Sequence, residues 1–106
     1  MINNKVYGLL GLTAKAGKIA FGTESCEDLI AKKKLKLVIV AEDSSERTIN
    51  NFKQKCEQVG IDFYIFGKKD DISKSIGRVN KTVIGIKDKN LAGAIIKILS
   101  GGDVIG

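Results

Sequence analysis

The chain contains no histidine and no proline, has only two cysteines, and nowhere runs apolar for long. Without histidine it lacks the commonest general base, the usual partner of a nucleophilic serine and the commonest zinc ligand. No pairing of acids or lysines takes up that chemistry, so an enzyme is not expected. Cys26 and Cys56 stand far apart in sequence with no second ligand at metal spacing, which argues against a zinc site and leaves no metal or cofactor expected. They read as small buried hydrophobes. The longest apolar stretches, Leu37 to Ala41 and Leu91 to Ile96, fall far short of the roughly 20 residues that a membrane-spanning helix needs. Tyr7, Gly8 and Gly11 break up the leucines near the N-terminus, and Lys15 and Lys18 stand where a signal peptide would be cleaved. The expectation is a cytoplasmic protein with no membrane partner.

What is present suits one small domain. With 106 residues and 43% hydrophobic content the chain can build one core, and its charges are interspersed with apolar runs rather than segregated. One domain over 1–106 is expected, with an ordered core over about 3–99, and the lack of proline fits a compact unit. Val6, Leu9, Leu10 and Thr13 recur at helical spacing before Gly17, predicting a helix over 3–16. Ile19 to Phe21 reads as a short strand. Gly22 then makes the turn, Thr23 is the expected N-cap, and Glu24 and Glu27 favour a helix running to about Lys34. Leu37 to Ala41 is β-branched and apolar throughout, as a strand covered on both faces must be.

Residues 42–45 supply loop and cap chemistry for a helix marked by Ile49, Phe52, Cys56 and Val59 and ended by Gly60. A strand over 61–66 follows. Asp70 or Asp71 is the expected cap of a short helix through Ile72 and Ile76, closed by Gly77. A strand over 82–86 and an amphipathic helix over 91–99 complete the chain, with Asp88 as cap and Ser100-Gly101-Gly102 as a frayed tail. This α-β-α-β-α-β-α-β-α order demands a three-layer α/β/α sandwich on a four-stranded sheet. The pattern leaves open whether that sheet is wholly parallel, because a three-residue strand can join in either direction.

The net charge of +6 is unevenly spread. Residues 1–41 carry seven lysines against three acids, +4, and residues 68–87 carry six bases against two acids, again +4. Residues 42–67, with three bases against five acids, stand at −2, and the remainder is neutral. Were the two basic segments to meet in space, they would form one face that attracts a polyanion by counterion release. The alternative is a solvated surface, since lysine-rich helix ends often serve solubility alone. Gly17-Lys18 is not a phosphate-binding P-loop: Gly11 is one residue too far upstream, no Ser or Thr follows, and a helix precedes it. Asp88-Lys89-Asn90 lacks the further ligands of a calcium loop.

The run Lys15-Ala-Gly-Lys18, then Ile19 and Gly22-Thr23, is followed by Leu37-Val-Ile-Val-Ala-Glu-Asp43, Thr48, Cys56 and Ser75-Ile-Gly77 before an apolar strand. In this order and spacing, over about Val6 to Leu99, the sequence resembles the kink-turn RNA-binding ribosomal proteins of the L-seven-Ae and L-thirty-e superfamily. Within that superfamily it is most similar to the small bacterial YlxQ-like ribosomal-protein paralogues. The resemblance implies an α/β/α sandwich with a mixed four-stranded sheet and a non-catalytic site for kink-turn or ribosomal RNA, with the ribosome as a candidate partner and a monomer as the expected state.

Carried over by position, Gly22 lets the backbone approach the RNA, and Thr23, Glu24 and Ser25 face guanine edges. Lys32 meets the phosphate backbone, and Arg78, Val79 and Asn80 pack over an extruded nucleotide with Lys81 adding charge. Lys15 and Lys18, in the run before the turn, complete the expected RNA-binding set. The sequence departs from the archaeal and eukaryotic motif, which has Asn then Glu at Glu24 and Ser25 and a lysine at Asp28. Aspartate cannot donate to guanine and repels phosphate, so a second reading is a protein-interaction module with an eroded kink-turn site. A third is the recognition part of an RNA-modifying system, though the chain is too short to add a catalytic domain.

Overall fold

The computed structural model describes residues 2–101, side chains from Asn4 onward, and has the expected element order. It comprises α1 (Ile2–Lys15), β1 (Ile19–Phe21), α2 (Thr23–Ala31), β2 (Leu37–Val40), α3 (Glu46–Val59), β3 (Asp62–Ile65), α4 (Lys69–Ser75), β4 (Val83–Ile86) and α5 (Lys89–Leu99). The sheet order is β1-β4-β2-β3. β4 runs antiparallel to both β1 and β2, and β2 runs parallel to β3, so the sheet is mixed.

β2 and β4 lie at the centre and are buried at every residue, which is why their sequences are continuously apolar. Leu37, Ile39, Ile84 and Ile86 pack with Val6, Leu10, Ile72 and Ile95 of α1, α4 and α5. Val38, Val40 and Val83 pack with Cys26, Ile30, Phe52 and Cys56 of α2 and α3 on the other face. Burial pushes the Cys26 thiol up to about 12 and the Cys56 thiol up to about 11, so both stay protonated at neutral pH and act as apolar filling. Among the described residues no helix is long and apolar enough to cross a membrane.

Three local expectations are corrected. Thr23 is not the N-cap of α2: Gly22 holds that position, with no side-chain hydrogen bond, and Thr23 is the first helical residue. α2 does not reach Lys34 but ends at Ala31, with Lys32 as C-cap and Lys33 left-handed at φ 56. The turn comes early because Leu35 is driven onto the sheet at Gly85, where a Cβ would lie 2.4 Å from a Leu35 methyl. Neither Asp70 nor Asp71 caps α4. Lys68 is its N-cap without a side-chain bond, and the Lys69 N–H donates instead to Asp43 Oδ1 at 2.8 Å.

Elsewhere the caps are those expected. Ser45 accepts from the Thr48 N–H, Gly60 ends α3 at φ 76, and Asp88 accepts from the Leu91 N–H at 2.8 Å. Ser100 is the C-cap of α5 and Gly101 has φ 88, while Gly102, the rest of the expected tail, lies outside the described residues.

Candidate functional site

The strand order determines which loops meet. Because β1 is antiparallel to β4, the C-terminal end of β1 lies beside the N-terminal end of β4, with Phe21 opposite Ile84. The Gly22 N–H donates to the Val83 carbonyl at 2.9 Å, which brings the entrance of α2 against the exit of the loop over 76–82. Gly22 has φ 93 and ψ 153, a conformation essentially restricted to glycine. A Cβ there would meet nothing within 4 Å, so backbone conformation, rather than crowding, requires the glycine and leaves the turn bare. With no side-chain cap, the first N–H groups of α2 keep their donors available at the positive end of the helix. Thr23, Glu24 and Ser25 stand exposed around them.

The loop over 76–82 is held at both ends. The Ser73 hydroxyl, on a residue only 2% exposed, accepts from the Lys81 N–H at 2.8 Å and donates to the Lys81 carbonyl at 3.1 Å. The Ser73 carbonyl accepts from the Arg78 N–H at 2.8 Å, and the Thr82 carbonyl accepts from the Ala41 N–H at 2.8 Å. Between these ties residues 77–80 are exposed, with Asn80 left-handed at φ 56, a conformation asparagine tolerates better than most residues. Val79 at the tip is 75% exposed, which no core contact explains.

The loop and the turn meet over one ring. The Arg78 guanidinium lies 4.6 Å from the Phe21 centroid and the Lys81 ammonium 5.2 Å from it, both within cation–π range. Phe21 immediately precedes Gly22, so the aromatic fixes two cations beside the exposed turn. Three nearby acids are engaged within the fold, whereas Glu24 stands exposed in the turn and Asp70 lines a groove with Arg78, Val79 and Asn80. Glu42 lies 3.5 Å from Lys68 and accepts from the Gly67 N–H, and Asp43 caps α4. Glu27 accepts from the Asn51 amide at 3.1 Å and lies 3.8 Å from Lys55.

Of the residues expected from sequence, Gly22, Thr23, Glu24, Ser25, Arg78, Val79, Asn80 and Lys81 therefore share one end of the sheet. Lys15 flanks this group, lining with Lys74 and Gly77 a groove between the ends of α1 and α4. Lys18 and Lys32 do not join it. The Lys18 carbonyl accepts from the Lys87 N–H at the opposite end of β1, and Lys32 caps the far end of α2 with its ammonium 3.0 Å from Asp28. Sequence reasoning missed Phe21 and Ser73. An aromatic directly before the turn glycine was the available signal for the first, whereas nothing distinguishes Ser73 from other serines in a short polar segment.

A mixed sheet between layers of two and three helices, with a helix entrance and a basic loop joined at one end, defines an L30e-like α/β/α sandwich. The profile of the ribosomal protein L7Ae/L30e/S12e/Gadd45 family matches residues 4–95, and the chain belongs to that family. It is similar to the RNA-binding protein YlxQ of Enterococcus faecium, with 32% identity over 97 residues that cover 92% of this chain and 93% of the relative. The YlxQ protein of Bacillus subtilis (strain 168) is 29% identical over 97 residues, covering 88% and 93%. Among solved structures, a Bacillus halodurans protein of unknown function superposes with a TM-score of 0.88 at 26% identity, covering 91% of this chain and 97% of that one. A Giardia lamblia 15.5kD RNA binding protein has the same fold, with a TM-score of 0.81 at 18% identity and coverage of 99% and 90%.

Proposed function

We propose that this protein binds structured RNA without catalysing a reaction, gripping a kinked element between the Gly22–Ser25 turn and the Arg78–Lys81 loop. The observation that carries the reading is the juxtaposition of the bare helix entrance and the basic loop around Phe21. The description of the YlxQ relatives as RNA-binding proteins supports it. In this reading the α2 N–H groups and the Thr23 and Ser25 hydroxyls meet base edges and phosphates exposed at the kink. Arg78 and Lys81 neutralise phosphate, and Val79 packs on a nucleotide turned out of its stack. In this reading the protein stabilises a bend, and its proposed setting is the cytoplasm, in association with the ribosome.

The test is binding of a kink-turn duplex against a straight duplex across a salt series. Preference for the kinked RNA, weakened about tenfold or more by Arg78→Glu with the fold intact, is the expected result. Equal affinity for both RNAs with a steep salt slope would reduce the interaction to nonspecific electrostatics and refute the proposal. The second reading, a protein-interaction module, draws on the carboxylates of Glu24 and Asp28 along α2. It gains if neither RNA binds.

A further inference from the structure

We propose that the opposite end of the sheet forms a second RNA-contacting surface, a row of lysines that holds the phosphate backbone of a stem flanking the kinked element. This inference rests on the RNA-binding reading above and extends it to residues outside that site.

The row follows from the strand register. Ile19, Ile86 and Leu37 lie side by side across β1, β4 and β2. One residue further out on each strand stand Lys18, Lys87 and Lys36, tied by Lys87 N–H to Lys18 O and Lys36 N–H to Ile86 O, each 2.8 Å. Strand spacing of roughly 4.8 Å makes this a line of three ammonium-bearing residues about 10 Å long. The early end of α2 adds to it. Packing of Leu35 on Gly85 folds the 32–36 turn down onto the same end of the sheet, bringing Lys33 and Lys34 beside the row.

All five of these lysines are exposed, and none has a carboxylate partner, whereas Lys32, Lys55 and Lys68 each do. The acids nearby are few. Asp28 is occupied by Lys32, Asp88 caps α5, and Asp62 at the start of the edge strand flanks the row without pairing. Five like charges gathered without partners repel one another, a standing cost to the folded state that an anionic ligand would relieve.

The composition of the surface favours nucleic acid over protein. The exposed large hydrophobics among the described residues are Leu12, Ile65 and Val79, and none belongs to this row. Lysine is depleted in protein interfaces, which depend on buried aromatic and aliphatic anchors. A line of point charges with no planar guanidinium suits phosphates that are contacted for position rather than read for sequence. The geometry also permits one RNA to reach both ends. The nine residues of α2 span about 13 Å, so a stem leaving the Gly22 turn along this helix arrives at Lys33 and Lys34 within about three helical turns of protein.

The experiment compares the wild-type chain with the triple variant Lys18→Gln, Lys36→Gln, Lys87→Gln on two RNAs. One is a kink-turn element of minimal length, and the other is the same element with one stem lengthened. Wild type is expected to bind the longer RNA more tightly and with a steeper salt dependence. The variant should fold normally, bind the short RNA as wild type does, and lose the gain on the long one, its salt slope shallower by about 3 at one unit per phosphate contact.

Identical behaviour of variant and wild type on the long RNA would overturn this inference and leave the primary site intact. Equal losses on both RNAs would overturn it too, by assigning the lysines to the primary site. Failure of wild type to bind either RNA would refute the function itself and the second surface with it. Binding of polyglutamate that the triple variant abolishes, with no gain from the lengthened stem, would overturn it in favour of an acidic protein partner.

Discussion

Ser73→Ala is the most informative single substitution, because one buried hydroxyl closes the loop that carries Arg78, Val79 and Asn80. Its oxygen makes two hydrogen bonds to Lys81, at 2.8 and 3.1 Å, and alanine removes both while leaving the Lys81 N–H and carbonyl without that partner in a half-buried position. Two bonds at a net value of about 1 kcal/mol each give a loss of about 2 kcal/mol. In a domain of this size each kcal/mol moves the thermal midpoint by about 4–8 °C, so a fall of about 8–16 °C is expected if the loop stays coupled to the core.

If the loop instead opens on its own, the same energy appears locally. The Lys81 amide then exchanges about 30-fold faster while the midpoint moves less. Thermal unfolding followed by circular dichroism, together with amide exchange read at Lys81, separates the two routes. RNA affinity should fall on the second route, since binding would then have to order the loop afresh. An unchanged midpoint together with unchanged exchange at Lys81 would refute the argument that Ser73 holds the loop.

Two further perturbations probe the turn and the core. Gly22→Ala forces a side chain into φ 93 and ψ 153 without a steric neighbour, so it should cost about 1–3 kcal/mol in urea unfolding through backbone strain alone; a change below about 0.5 kcal/mol would mean the turn does not require glycine. The thiols give a pH signature. Cys26 rises to about 12 and Cys56 to about 11 in the folded state, against about 8.5 for a free thiol, so their contribution is complete below that value and is lost as pH climbs towards the folded values. The urea midpoint should therefore fall more between pH 8 and pH 10 in wild type than in the Cys26→Ala, Cys56→Ala double variant, and equal falls in both would refute the assignment.

The parts of this molecule legible in its sequence are those fixed by local chemistry or by burial on two sides. Leu37 to Val40 could only be a central strand, and Ser45, Gly60 and Asp88 act on backbone groups within four residues of themselves. The corrected expectations share a different cause. Lys32, Lys33 and Lys34 are good helix formers, and nothing in their identity stops α2; the stop comes from Leu35 reaching Gly85, fifty residues later in the chain. α4 is likewise capped by Asp43, 26 residues upstream, so the acids at Asp70 and Asp71 misled for want of any long-range information. The candidate site divides in the same way. Its glycine turn and basic loop can be read along the chain, but Phe21 and Ser73, which join and tether them, act only through three-dimensional contact.

Charge shows most plainly how sequence order and spatial order part company. The two basic segments do not coincide with the two basic surfaces. Segment 1–41 sends Lys15 to the flank of the loop end and Lys18 and Lys32 to Lys36 to the opposite end, and segment 68–87 sends Lys68, Lys69, Lys74, Arg78 and Lys81 to the first and Lys87 to the second. At the Gly22 end these bases are set against Glu24, Glu42, Asp43, Asp70 and Asp71, which leaves it modest in net charge and rich in exposed backbone, hydroxyls and one bare valine. Such a surface discriminates shapes better than it attracts polyanions. The lysine row has the converse character, since attraction by unpaired ammonium groups rises with the number of phosphates neutralised and is indifferent to their arrangement. An RNA binder built this way keeps specificity and affinity at separate ends of one sheet, so substitutions at the Gly22 end should change which RNA is preferred, and substitutions in the row should change how tightly any suitable RNA is held.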